Sequence, residues 1–221
     1  MWWTHWAAIS DGCRVVSNAS GEPRWLVFLA QLPASPSSSR VALWRRLRAA
    51  GAAGVLNGAW VLPHTPDHLR FFEQSLAMVR RNGGSGLVLP VSEPQPEVDT
   101  AIAGRFRADR GREYDEFTER CEAFLAEISK ESRAGKFTFA ELEESEQDLQ
   151  KLARWLAKIR KRDFFPDDRC RSAVGLMDRC RAVLEVFSAS VYQAEEVQDA
   201  VGDAAAHLPG GDQLPTSRAA R

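Results

Sequence analysis

Eight arginines stand in two short runs. Arg40, Arg45, Arg46 and Arg48 punctuate "RVALWRRLR"; Arg105, Arg107, Arg110 and Arg112 punctuate "RFRADRGR". Guanidinium groups are planar, always charged and suited to paired contacts with phosphate or guanine. Each phosphate neutralised steepens the salt dependence of binding by about 0.9 log units per log unit of salt. DNA is therefore the partner these residues fit, and the eight arginines are the DNA-binding candidates. A third basic run, Lys151, Arg154, Lys158, Arg160, Lys161 and Arg162, shares its helix with the acidic "ELEESEQD" and reads as a neutralised face. The second run falls near a domain junction, where it could instead hold two halves together.

Other chemistry is thin. His64 and His68 are four residues apart near a helix start, with no third ligand in sight. "NGGSG" lies between a helix and a strand, whereas a phosphate-cradling loop runs from strand to helix. The serines at 35 and 37–39 are explained by helix capping. Cys13, Cys121, Cys170 and Cys180 form no CxxC pair and no cluster with histidine. Cys170 and Cys180 fall on an apolar helical stripe with Ala173, Met177, Leu184, Phe187 and Val191, where cysteine is a small hydrophobe. No catalytic residue, metal ligand or cofactor is expected.

The chain has 221 residues and a formal net charge of −1, but the charge is segregated. Residues 24–90 carry a net +6, residues 113–148 a net −8 and residues 149–181 a net +6. A strongly basic surface can therefore exist on a nearly neutral protein. No run approaches the roughly 20 apolar residues that span a bilayer. The tryptophan-rich start "MWWTHWAAIS" lacks a basic n-region and a sustained apolar stretch, so it does not read as a signal peptide. A cytoplasmic protein without membrane contact is expected.

The elements that must carry these residues follow from periodicity and punctuation. Residues 1–22 read as a poorly ordered extension. "RWLVFLAQLP" is a strand with two apolar faces. "PASPSSS" leads into a helix that stops at Gly51. Leu43, Leu47 and Trp44 share an arc of that helix and are expected in the core; Arg45 and Arg46 are expected to face solvent. "AGVLNGAWVLP" is a strand broken at "NG", a hairpin or bulge signal. Thr65 caps a second helix, with Pro66 at its first position, and "SGLVLPV" is the last strand. This order over residues 23–93 is a ferredoxin-like βαββαβ unit.

After the linker "SEPQPE", residues 97–200 read as three helices. The first carries Phe106, Tyr114, Phe117, Cys121, Leu125 and Ile128. The second begins with a capping box at Thr138 and Glu141 and a staple of Phe137 and Leu142. It continues in a heptad seam of Leu142, Ser145, Leu149, Leu152, Leu156 and Ile159. Pro166 opens the third. Residues 202–221 read as a disordered tail. The fold class is α+β, with the three-helix part packing on or beside the sheet; either it or a partner subunit is expected to cover the free face, the helices being favoured.

The run "WLVFLAQLPASPSSSRVALWRRLRAAGAAGVLNGAWVLP" resembles the N-terminal domain of the ChrB chromate-resistance regulator family. "GRFRADRGREYDEFTERCEAFLAEISKE" and "KFTFAELEESEQDLQKLARWLAKIRKRDFF" resemble the same family, in the same order. The resemblance implies a bacterial transcriptional regulator of chromate-resistance and efflux genes. Family members carry a second, C-terminal domain after these helices, so a separate protein supplying that domain is one expected partner. A homodimer is another, and a plain interaction module is the alternative function. The first block also resembles PaaX-type repressors and the CRISPR-associated ferredoxin-like nucleases. The nucleases imply a metal-binding carboxylate at the end of the first strand; Gln31 stands there, and residues 24–66 contain no acid.

Overall fold

The computed structural model describes residues 24–206, with side chains through residue 196. The extension expected over residues 1–22, Cys13 within it, and residues 207–221 of the expected tail lie outside the described residues. In chain order the elements are β1 (Trp25–Gln31), α1 (Ser37–Ala49), β2 (Ala53–Leu56), β3 (Ala59–Pro63), α2 (Pro66–Arg81) and β4 (Ser85–Val91). Three long helices follow: α3 (Pro96–Arg133), α4 (Phe139–Lys161) and α5 (Asp168–Ala206). The strands lie in the order β2-β3-β1-β4, and all neighbours are antiparallel. This is the order of a ferredoxin-like unit, and the whole is α+β.

The strand break at "NG" is a hairpin. Gly58 sits at φ +78°, and a Cβ there would lie 2.6 Å from the Ala30 carbonyl oxygen. Only glycine satisfies both demands. Thr65 caps α2 by accepting a hydrogen bond from the His68 amide at 3.1 Å. Thr138 caps α4 by accepting from the Glu141 amide at 3.3 Å. The serines do not cap α1: Ser37, Ser38 and Ser39 form its first turn and Ser35 precedes the cap position. Pro36 occupies the cap position and no side chain accepts from the helix; Ser39 instead bonds Asn82 at 2.9 Å. The α5 helix begins two residues after Pro166, where Asp167 accepts from the Arg169 amide at 3.0 Å. It continues to Ala206, beyond the Gly202 at which the tail was expected.

Side-chain alternation splits the sheet into two apolar faces. Leu26, Phe28 and Leu62 point toward α1 and α2, where Leu43, Leu47, Phe72 and Val79 meet them. Phe28 stacks on Phe72 with ring centroids 5.1 Å apart. Trp25, Ala53 and Val61 point the other way and are covered by Ala103 and Phe106 of α3 and by Phe165 in the α4–α5 turn. Trp25 lies parallel to Phe106 at 5.8 Å, and its indole N–H donates to Asp99 at 2.8 Å. Full burial of such side chains stabilises by about 1.5–3 kcal/mol each. The helical part therefore covers this face at the Trp25 end. Toward the other end, Leu87 and Leu89 of β4 stay 44% and 46% exposed beside Val27 and Leu29.

The α3 helix serves both layers. Its first half packs on the sheet; its second half packs with α4 and α5 through Phe117, Cys121, Phe124 and Ile128. The expected stripe of α5, from Cys170 through Val191, is buried at every position. On α4, Leu142, Ser145, Leu152, Leu156 and Ile159 are buried and Leu149 is half-buried, as the heptad seam requires.

A basic seam between sheet and helices as the candidate nucleic-acid interface

The structure sorts the eight arginines by what each touches. On α1, residues advance 100° per position, so only positions four apart share the buried line. Leu43 and Leu47 occupy it. Trp44 lies on one flank of that line and Arg46 on the other, and the flanks meet different surroundings. Arg46 lies against α2: its guanidinium sits 4.9 Å over the Phe71 ring, Nε donates to Ser75 at 3.0 Å and Nη2 to Gln74 at 3.1 Å. Trp44 is 52% exposed and belongs to none of the buried clusters. Two expectations are corrected here: Trp44 is not core, and Arg46 does not stand free in solvent. Arg45 is exposed, with no ion pair or hydrogen bond among the described residues. Arg40 is exposed and approaches the Pro33 carbonyl at 3.4 Å.

Arg48 points the other way, toward α3. It meets Asp109 at 3.2 Å. Asp109 is 3% exposed and also holds Arg112 at 2.5 Å and Arg105 at 3.8 Å. One turn on, Glu113 holds Arg110 at 2.9 Å and Arg162 at 2.7 Å. The two carboxylates thus serve five guanidinium groups, leaving a net +3. Arg110 is buried, and burial outweighs Glu113 and lowers its pKa; it belongs to the scaffold rather than to a surface. Arg105 and Arg112 remain 53% and 70% exposed. Arg107 is exposed and stands outside this network.

The third basic run also arrives here, at the end of α4. Gly51, at φ +81°, ends α1 against Arg162; a Cβ on the glycine would lie 2.9 Å from the Arg162 Cβ. The last turn of α4, with Lys158, Arg160 and Lys161, therefore adjoins the last turn of α1. Below the seam, the Tyr114 hydroxyl donates to Asp163 at 2.9 Å, and burial raises the pKa of both groups. Asp109, Glu113 and Asp163 were not singled out from the sequence. The available signal was the i, i+4 spacing of Asp109 and Glu113 inside an arginine run, which puts both carboxylates on one face of a helix.

The other candidate chemistry resolves into packing. The His68 ring lies edge-on to Phe164 at 5.1 Å, and its Nδ1 is 2.7 Å from the Pro63 carbonyl oxygen. Cys121, Cys170 and Cys180 are buried free thiols. Gln31 is exposed at the end of β1. Among the described residues, no three His, Cys, Asp or Glu side chains are placed to hold a metal ion, and no helix is long and apolar enough to cross a membrane.

A ferredoxin-like sheet joined to a long-helix bundle by an arginine seam defines the class of protein. The chain belongs to the family described as "Protein ChrB, N-terminal", which matches residues 40–198. All eight candidate arginines and both carboxylates of the seam fall inside that match. The chain is also similar to Protein ChrB of Cupriavidus metallidurans, being 30% identical over 153 residues, or 68% of this chain. The matching stretch spans 43% of that relative's length.

Proposed function

We propose that this chain is the DNA-contacting part of a transcriptional regulator of the chromate-resistance type, and that it holds DNA through the exposed side of α1 and the adjoining arginines of α3. The observation that carries this reading is Trp44. It is a large aromatic ring held in solvent with Arg45 beside it and Arg48 one turn on, and Arg48 joins this helix to Arg105 and Arg112 through Asp109. Arginines supply phosphate neutralisation; an exposed ring among them supplies a stacking or wedging group. On this reading the role is non-catalytic and needs no cofactor.

The test is a titration of the full chain against duplex DNA from the region upstream of its own gene, at two salt concentrations. Affinity should fall steeply between 50 and 200 mM salt, by roughly a hundredfold for four phosphate contacts. Binding that does not respond to salt removes the phosphate-contact reading.

One observation favours a second reading, a module that pairs through its sheet. Leu87 and Leu89 leave part of an apolar face open next to Val27 and Leu29. Sedimentation of the wild-type chain and of Leu89→Lys distinguishes the two. A dimer that the lysine dissociates supports pairing through the sheet; a monomer in both cases excludes it.

A further inference from the structure

The sheet face that α3 meets is only half covered. Across the four strands the register places Leu56, Ala59, Leu29 and Leu87 in one row and Ala53, Val61, Val27 and Leu89 in the next. The second row is closed over β2 and β3, where Ala53 and Val61 are 1% exposed and pack with Ala103 and Phe106. Its β4 end is open, with Leu89 46% exposed. In the first row Leu56 is 78% and Leu87 44% exposed, and Leu29 between them is half-buried. No residue of either row is charged. A contiguous apolar strip of this kind marks a place where something docks.

We infer that residues 2–9 of the same chain, which lie outside the described residues, dock on this strip through Trp2, Trp3 and Trp6. Composition, connection and reach select them. Residues 1–10 hold those three tryptophans and Ile9, and no Asp, Glu, Lys or Arg. An uncharged segment suits an uncharged face, where a charge would lose its water without gaining a partner. Each tryptophan can bury about 150–250 Å² there. The segment runs directly into β1, the strand that carries Val27 and Leu29. Arg24 already belongs to the ladder: its amide donates to the Val91 carbonyl at 2.9 Å, and its own carbonyl accepts from the His64 amide at 2.9 Å. Its guanidinium meets Asp99 of α3 at 2.6 Å and lies 5.6 Å from the centre of the Trp25 ring, on the face that carries the strip. Leu29 is about 13 Å along the strand from Trp25. The 17 residues between Trp6 and Arg24 span up to about 60 Å when extended, enough to turn back over that distance. A tethered segment also acts at an effective concentration of about a millimolar, which favours it over a second copy of the chain on the same strip.

Photo-crosslinking of the full chain tests this inference. Benzoylphenylalanine replaces Leu56 in one variant, Leu89 in a second and Val186 of α5, 69% exposed, in a third. Irradiation of the first two should give cross-links within one chain, mapped by mass spectrometry to residues 2–9; Val186 should give none there. Trp2→Ser, Trp3→Ser and Trp6→Ser combined should abolish these cross-links and lower the melting temperature by about 4 °C or more. The same changes in a segment that packs on nothing would leave it unaltered. The triple variant should fold, since none of the three residues belongs to a strand or helix of the described fold. Cross-links between two chains would put a second copy on the strip and overturn the inference. So would cross-links from Leu56 and Leu89 that fall elsewhere in the chain, an equal yield to residues 2–9 from Val186, or a triple variant that melts as the wild type does.

Discussion

Arg48 of α1 and Asp109 of α3 are 61 positions apart and meet at 3.2 Å, joining the ferredoxin-like unit to the helical part. Asp109 is almost wholly buried, while its three arginines are each at least a third exposed. The pair is therefore asymmetric: removing the acid leaves several arginines that water can still reach, whereas removing all of them strands a buried charge.

Asp109→Asn is expected to lower stability by about 2 kcal/mol, less than the 3–5 kcal/mol of a fully buried pair because its partners are part-solvated. Arg112→Ala, at the exposed end of the same network, should cost below about 1 kcal/mol. For a chain of this size the first corresponds to a loss of roughly 4–8 °C in melting temperature and the second to a few degrees at most. Calorimetric scans of the two variants check the order; equal losses would mean that Asp109 is not the hub.

Trp44→Ala should leave the melting temperature within about 2 °C of wild type, because surface substitutions shift stability by roughly 0.5 kcal/mol or less. Leu47→Ala, three residues on and fully buried, should cost about 2–5 kcal/mol. If Trp44 stacks on DNA, its loss should weaken binding by about 1–3 kcal/mol. Fluorescence anisotropy with labelled duplex measures this directly. Unchanged affinity would exclude the ring from the interface.

Arg45 and Arg46 are neighbours with opposite expected behaviour. Arg45→Ala should weaken DNA binding, reduce the salt slope by about 0.9 and leave stability alone. Arg46→Ala removes a ring contact and two side-chain hydrogen bonds to α2, at a cost of about 1–2 kcal/mol in stability. Should the two variants lose stability equally, the placement of Arg46 against Phe71 would be wrong.

His68 gives a pH dependence whose sign follows from its burial. Burial lowers its pKa below the ordinary 6.5, against the opposing pull of the Pro63 carbonyl and Asp67. Below pH 6.5 the unfolded chain therefore binds a proton that the folded chain resists, and stability rises with pH there. The contribution is complete above 6.5 and is lost as pH falls through the lower folded value. His68→Gln should flatten that part of the stability curve. Melting temperatures measured every half unit from pH 5 to 7.5 test it, and a variant with the wild-type slope would assign the dependence elsewhere.

Much of this architecture was legible in the residues alone. Strand alternation, the "NG" hairpin, the Thr65 and Thr138 caps and the period of α5 are local signals, and local backbone physics reads them. The order of elements then leads to the ferredoxin-like unit, and the apolar second face of β1 required a cover. The pairing of elements decided the rest. On α1, Trp44 and Arg46 flank the same buried line, and periodicity cannot tell which flank α2 will occupy. Contact with Phe71 and Ser75 took Arg46 out of solvent and left Trp44 in it. The gathering of Arg48, Arg105, Arg110, Arg112 and Arg162 around Asp109 and Glu113 has the same origin. Charges far apart in sequence become one seam only when α3 lies across the sheet and the end of α4 meets Gly51, because Coulomb energy depends on distance in space. The sequence determined which residues carry charge and which faces are apolar; the tertiary structure alone decided which of those charges neutralise one another and which remain for a partner.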